Sequence, residues 1–145
     1  PGLVSWKHKP SGGTTDYAVE MYFDAIESGK YECFVNRNTR LPMMFMDDAI
    51  RATLELMDAP LESLNYHSNY NLSSMSFSAE ELEKEISAHV DFNCLYKPDY
   101  RQDIADTWPI SINDDDARKD WGWEPKFDIS KMTEEMITNL RRLNE

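Results

Sequence analysis

Residues 11–35, "SGGTTDYAVEMYFDAIESGKYECFV", decide how the rest of the chain is read. Two glycines and two threonines give way to a 3.6-residue period, in which Val19, Tyr22, Phe23 and Ile26 recur at i, i+3, i+4 and i+7. This spacing predicts an amphipathic helix. Thr14 or Thr15 can serve as its N-cap, Asp16 suits the positive end of the helix dipole, and Gly29 suits a left-handed stop. "YECFV" (31–35) then reads as a strand. The same stretch raises a functional question. Gly12 and Gly13 let a backbone approach a ligand closely, and the helix start behind them offers N–H groups to a carboxylate or phosphate. A flexible loop before a threonine-capped helix accounts for the same residues without a ligand. Only the second threonine is surplus to that plainer reading.

Working outward, "MMFM" (43–46) reads as a second strand joined to the first by "NRNTRLP" (36–42). Asp47 or Asp48 is expected to cap the next helix, with Ile50, Leu54 and Met57 as its buried stripe and Pro60 as its end. "SNYNLS" (68–73) reads as a short strand. "FSAEEL" (77–82) combines a capping box, Ser78 with Glu81, and a hydrophobic staple of Phe77 on Leu82. Such devices are worth about 1 kcal/mol each, so burial of Leu82 and Ile86 must hold the helix. "NCLY" (93–96) is a further strand, and "DYRQDIAD" (99–106) a short helix stopped near Trp108–Pro109. "DDDARKDWGW" (114–123) is another helix, with Gly122 at its end. The last helix runs from about Ser130, with Met136, Ile137, Leu140 and Leu143 on one side. About five helical patterns thus interleave with four or five short strands, and no period of ~20–50 residues repeats. The class is α/β, or α+β for the segment in isolation, with small mixed sheets.

The 145 residues, 41% of them apolar, suffice for one domain with a real core. A formal charge of −12 repels phosphate backbones and anionic bilayers, which argues against nucleic-acid and membrane partners. No apolar run reaches the roughly 20 residues of a membrane span. Cys33 and Cys94 lie far apart and lack the density of a disulfide scaffold, so a reduced, cytoplasmic protein is expected. The opening "PGLVSW" is an apolar run behind a turn pair with no initiator methionine, the pattern expected inside a longer protein.

Metal chemistry is not indicated. His8, His67 and His89 are isolated, and "NDDDARKDWGWE" (113–124) puts Ala117 and Arg118 where a calcium loop needs oxygen ligands. Asp114 or Asp115 as a helix cap explains that acidic run. No nucleophile elbow and no dinucleotide glycine loop occur, so no catalytic residue is assigned. Trp121 and Trp123 are expected to pin a helix end to the domain. Trp108, before a proline that favours a loop, reads equally as structure or as a pocket rim. Arg40 is either a solvated loop arginine or an anion contact.

"PGLVSWKHKPSGGTTDYAVEMYFDAIESGKYECF", "TRLPMMFMDDAIRATLELMDAP", "DYRQDIADTWP" and "DDDARKDWGW" together resemble the C-terminal portion of the NAD-dependent L-threonine 3-dehydrogenases. These belong to the extended short-chain dehydrogenase/epimerase superfamily, and the resemblance covers nearly the whole chain. It implies that residues 1–6 end a Rossmann strand and 7–145 form the substrate-covering region, most of the Rossmann core lying elsewhere. It also places the dinucleotide loop, the catalytic Ser and the Tyr-x-x-x-Lys outside this chain, which alone would be inactive. Pro1, Gly2 and Leu3 are expected beside the nicotinamide of NAD, and Gly13, Thr14, Thr15 and Trp108 in the substrate pocket. The implied reaction oxidises the β-hydroxyl of L-threonine to 2-amino-3-oxobutanoate with hydride passing to NAD, in a homodimer when full length. Two alternatives share the fold. One is a nucleotide-sugar epimerase or dehydratase in which Arg40 clamps a pyrophosphate; the other is a catalytically silent, NAD-linked sensor or interaction module.

Overall fold

The computed structural model describes residues 1–10 and 12–143; Ser11 of the glycine loop lies outside them. Its strands are β1 (Gly2–Val4), β2 (Lys30–Cys33), β3 (Arg40–Phe45), β4 (Met75–Ser78) and β5 (Asn93–Tyr96). Its helices are α1 (Tyr17–Glu27), α2 (Met46–Asp58), α3 (Ala79–Ser87), α4 (Tyr100–Ala105), α5 (Asp115–Trp121) and α6 (Ile129–Leu143). A single 3-10 turn, Leu61–Ser63, follows α2. The α/β class and small mixed sheets expected from the sequence are both present, with six α-helices among the described residues.

Two sheets organise the chain. β3 is the middle strand of the first, parallel to β1 in the register Gly2↔Met43 and antiparallel to β4 in the register Met43↔Met75. β2 and β5 form a separate parallel pair. Between them α1, α3 and α6 close the main core, where Tyr17, Met21, Tyr22, Leu82, Ile86, Met132 and Met136 are fully buried. The Tyr22 hydroxyl and the Thr133 hydroxyl satisfy each other at 2.6 Å, so tying α1 to α6 leaves no orphaned polar group there. A second, smaller core gathers Met44, Ala52, Ala117 and Trp123, whose indole N–H donates to the Ser73 carbonyl at 3.1 Å. Trp121 meets Tyr70 edge-on at 4.7 Å, so both tryptophans of "WGW" fasten the end of α5.

The capping box is as read: Ser78 accepts from the Glu81 N–H, and Glu81 accepts from the Ser78 N–H. Other expectations need correction. The strand expected at 68–73 is irregular chain, and the strand sits instead at 75–78, where Phe77 and Ser78 face inward opposite β3. β3 begins at Arg40, inside the supposed connection. It tolerates Pro42 because β1 pairing starts only at Met43, so no β1 ladder bond is lost. The Asp114 carboxylate does not cap α5; it accepts from Arg118 and from the Ser73 N–H, while Asn113 accepts the Asp115 N–H. Leu143 is exposed, one turn beyond the last layer that α6 packs against.

The largest correction concerns α2. Ile50, Leu54 and Met57 are 50%, 55% and 74% exposed, whereas Asp48 and Ala52 are buried. The helix presents its small, polar-anchored side to the sheet and its apolar stripe outward. Asp48 explains this choice. Its carboxylate, 1% exposed, accepts the N–H groups of Lys126 and Phe127 and pairs with Arg51 at 2.8 Å. Those bonds orient α2 and hold residues 124–127 against it.

Asp48→Ala should therefore cost about 3 kcal/mol, because it strands buried N–H groups and a guanidinium together. Chemical denaturation of the chain measures this. Asp120 supplies the pH dependence. The Tyr70 hydroxyl at 2.5 Å, and Asn65 through its backbone and side chain, hold its carboxyl below the usual carboxylate range. A depressed carboxyl stabilises the fold fully above its unfolded pKa, about 4, and that contribution is lost as pH falls through the lower folded value. Asp120→Asn should flatten the acid limb of a melting-temperature profile without altering its neutral plateau's dependence on pH.

Candidate functional site

The site is built where three separate pieces of chain converge. β1 contributes Pro1 and Gly2, the turn before α1 contributes Thr15, and the loop after α4 contributes Trp108, Pro109 and Ile112, with Pro42 of β3 beneath. Together they enclose a cavity of about 270 Å³. Its walls are mostly apolar; Thr15 carries the one hydroxyl among the lining residues, and the indole N–H of Trp108 is a second polar group. Trp108, 42% exposed, forms the rim; its N–H donates to the Ala105 carbonyl, so the turn closing α4 sets where the indole stands.

The helix mouth is arranged differently from the capped helix read in the sequence. Neither threonine caps α1. The Asp16 N–H donates to the Gly13 carbonyl at 3.1 Å, which puts Thr14 and Thr15 inside a turn and makes Asp16 the residue at the cap position. The Asp16 carboxylate then reaches back to accept the Gly12 N–H at 2.9 Å and the Gly13 N–H at 2.6 Å. Gly12, at φ +107°, holds a conformation that L side chains rarely adopt. The anion expected at the glycine loop is thus supplied by the chain itself, and those two N–H groups are already engaged.

The residues singled out in the sequence separate accordingly. Thr15, Trp108, Pro1 and Gly2 meet in the cavity. Gly13 and Thr14 belong to the turn beside it and are not among its lining residues, and Leu3 is half exposed on β1. Arg40 stands apart, in a different cleft. Its guanidinium donates to the Ser76 carbonyl and to Glu81, each at 2.6 Å, so its charge is met internally and its place as an anion contact is taken by Glu81. Pro42, Pro109 and Ile112 were not singled out as site residues. The run "TWPISI" (107–112) carried the only signal for the last two: apolar residues beside a tryptophan in a segment that cannot be helical.

Among the described residues, no group of three or more His, Cys, Asp or Glu side chains is arranged to hold a metal ion. No helix among them is long and apolar enough to cross a membrane.

No protein-family model matches the chain. A structure of a monomeric L-threonine 3-dehydrogenase from a metagenome is 98% identical and superposes with a TM-score of 0.97 over the whole chain, which covers 47% of it. The chain matches the C-terminal portion of the L-threonine 3-dehydrogenases. The bovine mitochondrial L-threonine 3-dehydrogenase is 48% identical over 139 residues, 94% of this chain and 37% of that protein. A GalE-like L-threonine dehydrogenase from Cupriavidus necator is 47% identical with a TM-score of 0.93, the match covering 97% of this chain and 51% of that one. The chain therefore spans about half or less of the length of these relatives. Its fold is that of the C-terminal portion of an extended short-chain dehydrogenase/epimerase, as the sequence resemblance implied.

Proposed function

We propose that this chain is the substrate side of an NAD-dependent L-threonine 3-dehydrogenase, converting L-threonine to 2-amino-3-oxobutanoate. The observation that carries the reading is the cavity itself: one hydroxyl, Thr15, set opposite an indole in an otherwise apolar enclosure of about 270 Å³. Threonine presents a hydroxyl and a methyl on the same β-carbon, and this lining offers one partner to each. Thr15 hydrogen-bonds the polar side of the substrate, while Trp108 and Ile112 cover the methyl and exclude water. At about 270 Å³ the cavity lies just below the usual ligand range of about 300–1,000 Å³, which suits an amino acid better than a sugar nucleotide. Together with Arg40 held by Glu81, this sets the epimerase reading aside.

NAD, when bound, supplies the hydride acceptor. This chain's side chains fit only an uncharged part of it: Pro1 and Gly2 line the cavity with no charged side chain, and Leu3 stands half exposed beside them. Neither a pyrophosphate cradle nor a proton acceptor is placed at the cavity by the described residues, so we assign both to the remainder of the longer enzyme, and with them its activity. The same assignment accounts for the outward apolar stripe of α2 and for β1 standing at the edge of its sheet, because exposed apolar surface and free strand edges are ordinarily covered. Since β3 pairs with β1, the continuing sheet reaches past the boundary drawn at residue 6 to include β3. The 98%-identical relative is described as monomeric, which favours a monomer over the expected homodimer. Two buried free thiols, Cys33 and Cys94, support a reducing compartment; the cytoplasm fits this, and the bovine relative is mitochondrial.

In the full-length 98%-identical dehydrogenase, Thr15→Ala at the matching position should lower kcat/KM for threonine by about 1–3 kcal/mol. Unchanged steady-state kinetics would remove Thr15 from the site. Trp108→Ala should weaken discrimination between threonine and serine, with a loss of only thermal stability assigning the indole to structure instead. Reduction of NAD with threonine, and none with uridine- or guanosine-diphosphate sugars, separates the dehydrogenase from the epimerase reading.

A further inference from the structure

Gly2 lines the cavity but is not there for its backbone freedom. The glycines with positive φ are Gly12, Gly29 and Gly122, and Gly2 is an ordinary strand residue of β1 in register with Met43. What it lacks is room. A Cβ on Gly2 would lie 2.8 Å from both Cβ and Cγ2 of Thr15 and 2.6 Å from Sδ of Met43. Of these, the methionine sulfur can shift with its flexible side chain, whereas Cβ of Thr15 is fixed to the backbone. Met43 is fully buried, and Thr15 is held by its turn, its carbonyl accepting the Ala18 N–H at 3.1 Å. The Cβ and methyl of Thr15 thus take the space a side chain on Gly2 would need. With the methyl fixed there, the hydroxyl is the remaining Cβ substituent, and among the described residues it has no hydrogen-bond partner.

We propose that Gly2 is a positioning residue for Thr15: the seat it gives the threonine methyl fixes the rotamer that turns the hydroxyl toward the substrate. This rests on the reading of Thr15 as the substrate's polar contact. It differs from the expectation that Gly2 serves the cofactor, and it explains why a threonine rather than a serine stands at residue 15. A serine offers the same hydroxyl but nothing to seat on Gly2, so its hydroxyl rotates among three wells.

The test is a double-mutant cycle in the full-length 98%-identical enzyme, at the matching positions. Thr15→Ala and Gly2→Ala should each lower kcat/KM for threonine by about tenfold or more, with the KM for NAD unchanged. The Gly2→Ala, Thr15→Ala double variant should be no worse than Thr15→Ala alone, within about twofold, because two changes acting through one hydroxyl are not additive. Thr15→Ser should fall between wild type and Thr15→Ala. If Thr15→Ala has no effect, the underlying site reading fails. If Thr15→Ala is impaired but the losses add, or Gly2→Ala raises the KM for NAD, Gly2 acts on something other than Thr15 and the proposal is overturned. Should Gly2→Ala not fold, Thr15→Ser decides alone: kinetics equal to wild type contradict the seat, and a loss supports it.

Discussion

The pairing of β1 with β3 is the constraint on which the site depends. The register Gly2↔Met43 fixes β1 beside the middle strand of the sheet, and that placement brings Gly2 under the turn that precedes α1. One strand thus supplies the floor of the cavity through Pro42 and, through its partner, the wall through Pro1 and Gly2. The antiparallel pairing of β3 with β4 on its other side leads into α3, whose capping box fixes where that helix starts. β3 is buried on both faces, Met43 in the main core and Met44 in the smaller one, so slipping either pairing by one residue would present each core with side chains shaped for the other.

Charge in this chain is spent largely on holding pieces of backbone. Asp48 binds the N–H groups of residues 126 and 127, Asp16 those of Gly12 and Gly13, and Glu83 that of Cys94, each a carboxylate answering donors that no regular element satisfies. Arg40 follows the same logic from the cationic side. The consequence for function is that the cavity is left nearly neutral. A lining with a single hydroxyl and no charged side chain leaves shape and apolar contact as its main means of selecting a ligand.

Sequence reading succeeded at several local devices, though the side-chain caps expected for α1, α2 and α5 were not among them. The α1 period, the Ser78–Glu81 box, the Gly122 stop and the short helix before Trp108 are each specified within a few residues, and each is present. It failed where a long-range partner decides. The amphipathic period of α2 was plain, but Asp48, responding to residues almost 80 positions away, determines which side turns inward. At the glycine loop the donors expected were those of the helix start, whereas the N–H groups engaged are those of Gly12 and Gly13, because a side-chain carboxylate folding back from Asp16 leaves no periodic trace. Within the site, Thr15 and Trp108 were legible from the resemblance to the threonine dehydrogenases; Pro42 and Ile112 were not, since an apolar residue becomes a pocket wall only through the fold that brings it there.

The most direct measurement is a crystal structure of the full-length 98%-identical dehydrogenase with L-threonine and NAD bound. The account predicts the substrate in the cavity between Thr15 and Trp108, its methyl against the indole and Ile112 and a polar group within about 3 Å of the Thr15 hydroxyl. Threonine bound with Thr15 and Trp108 out of contact, or its carboxylate seated on the Gly12 and Gly13 N–H groups with Asp16 displaced, would contradict it.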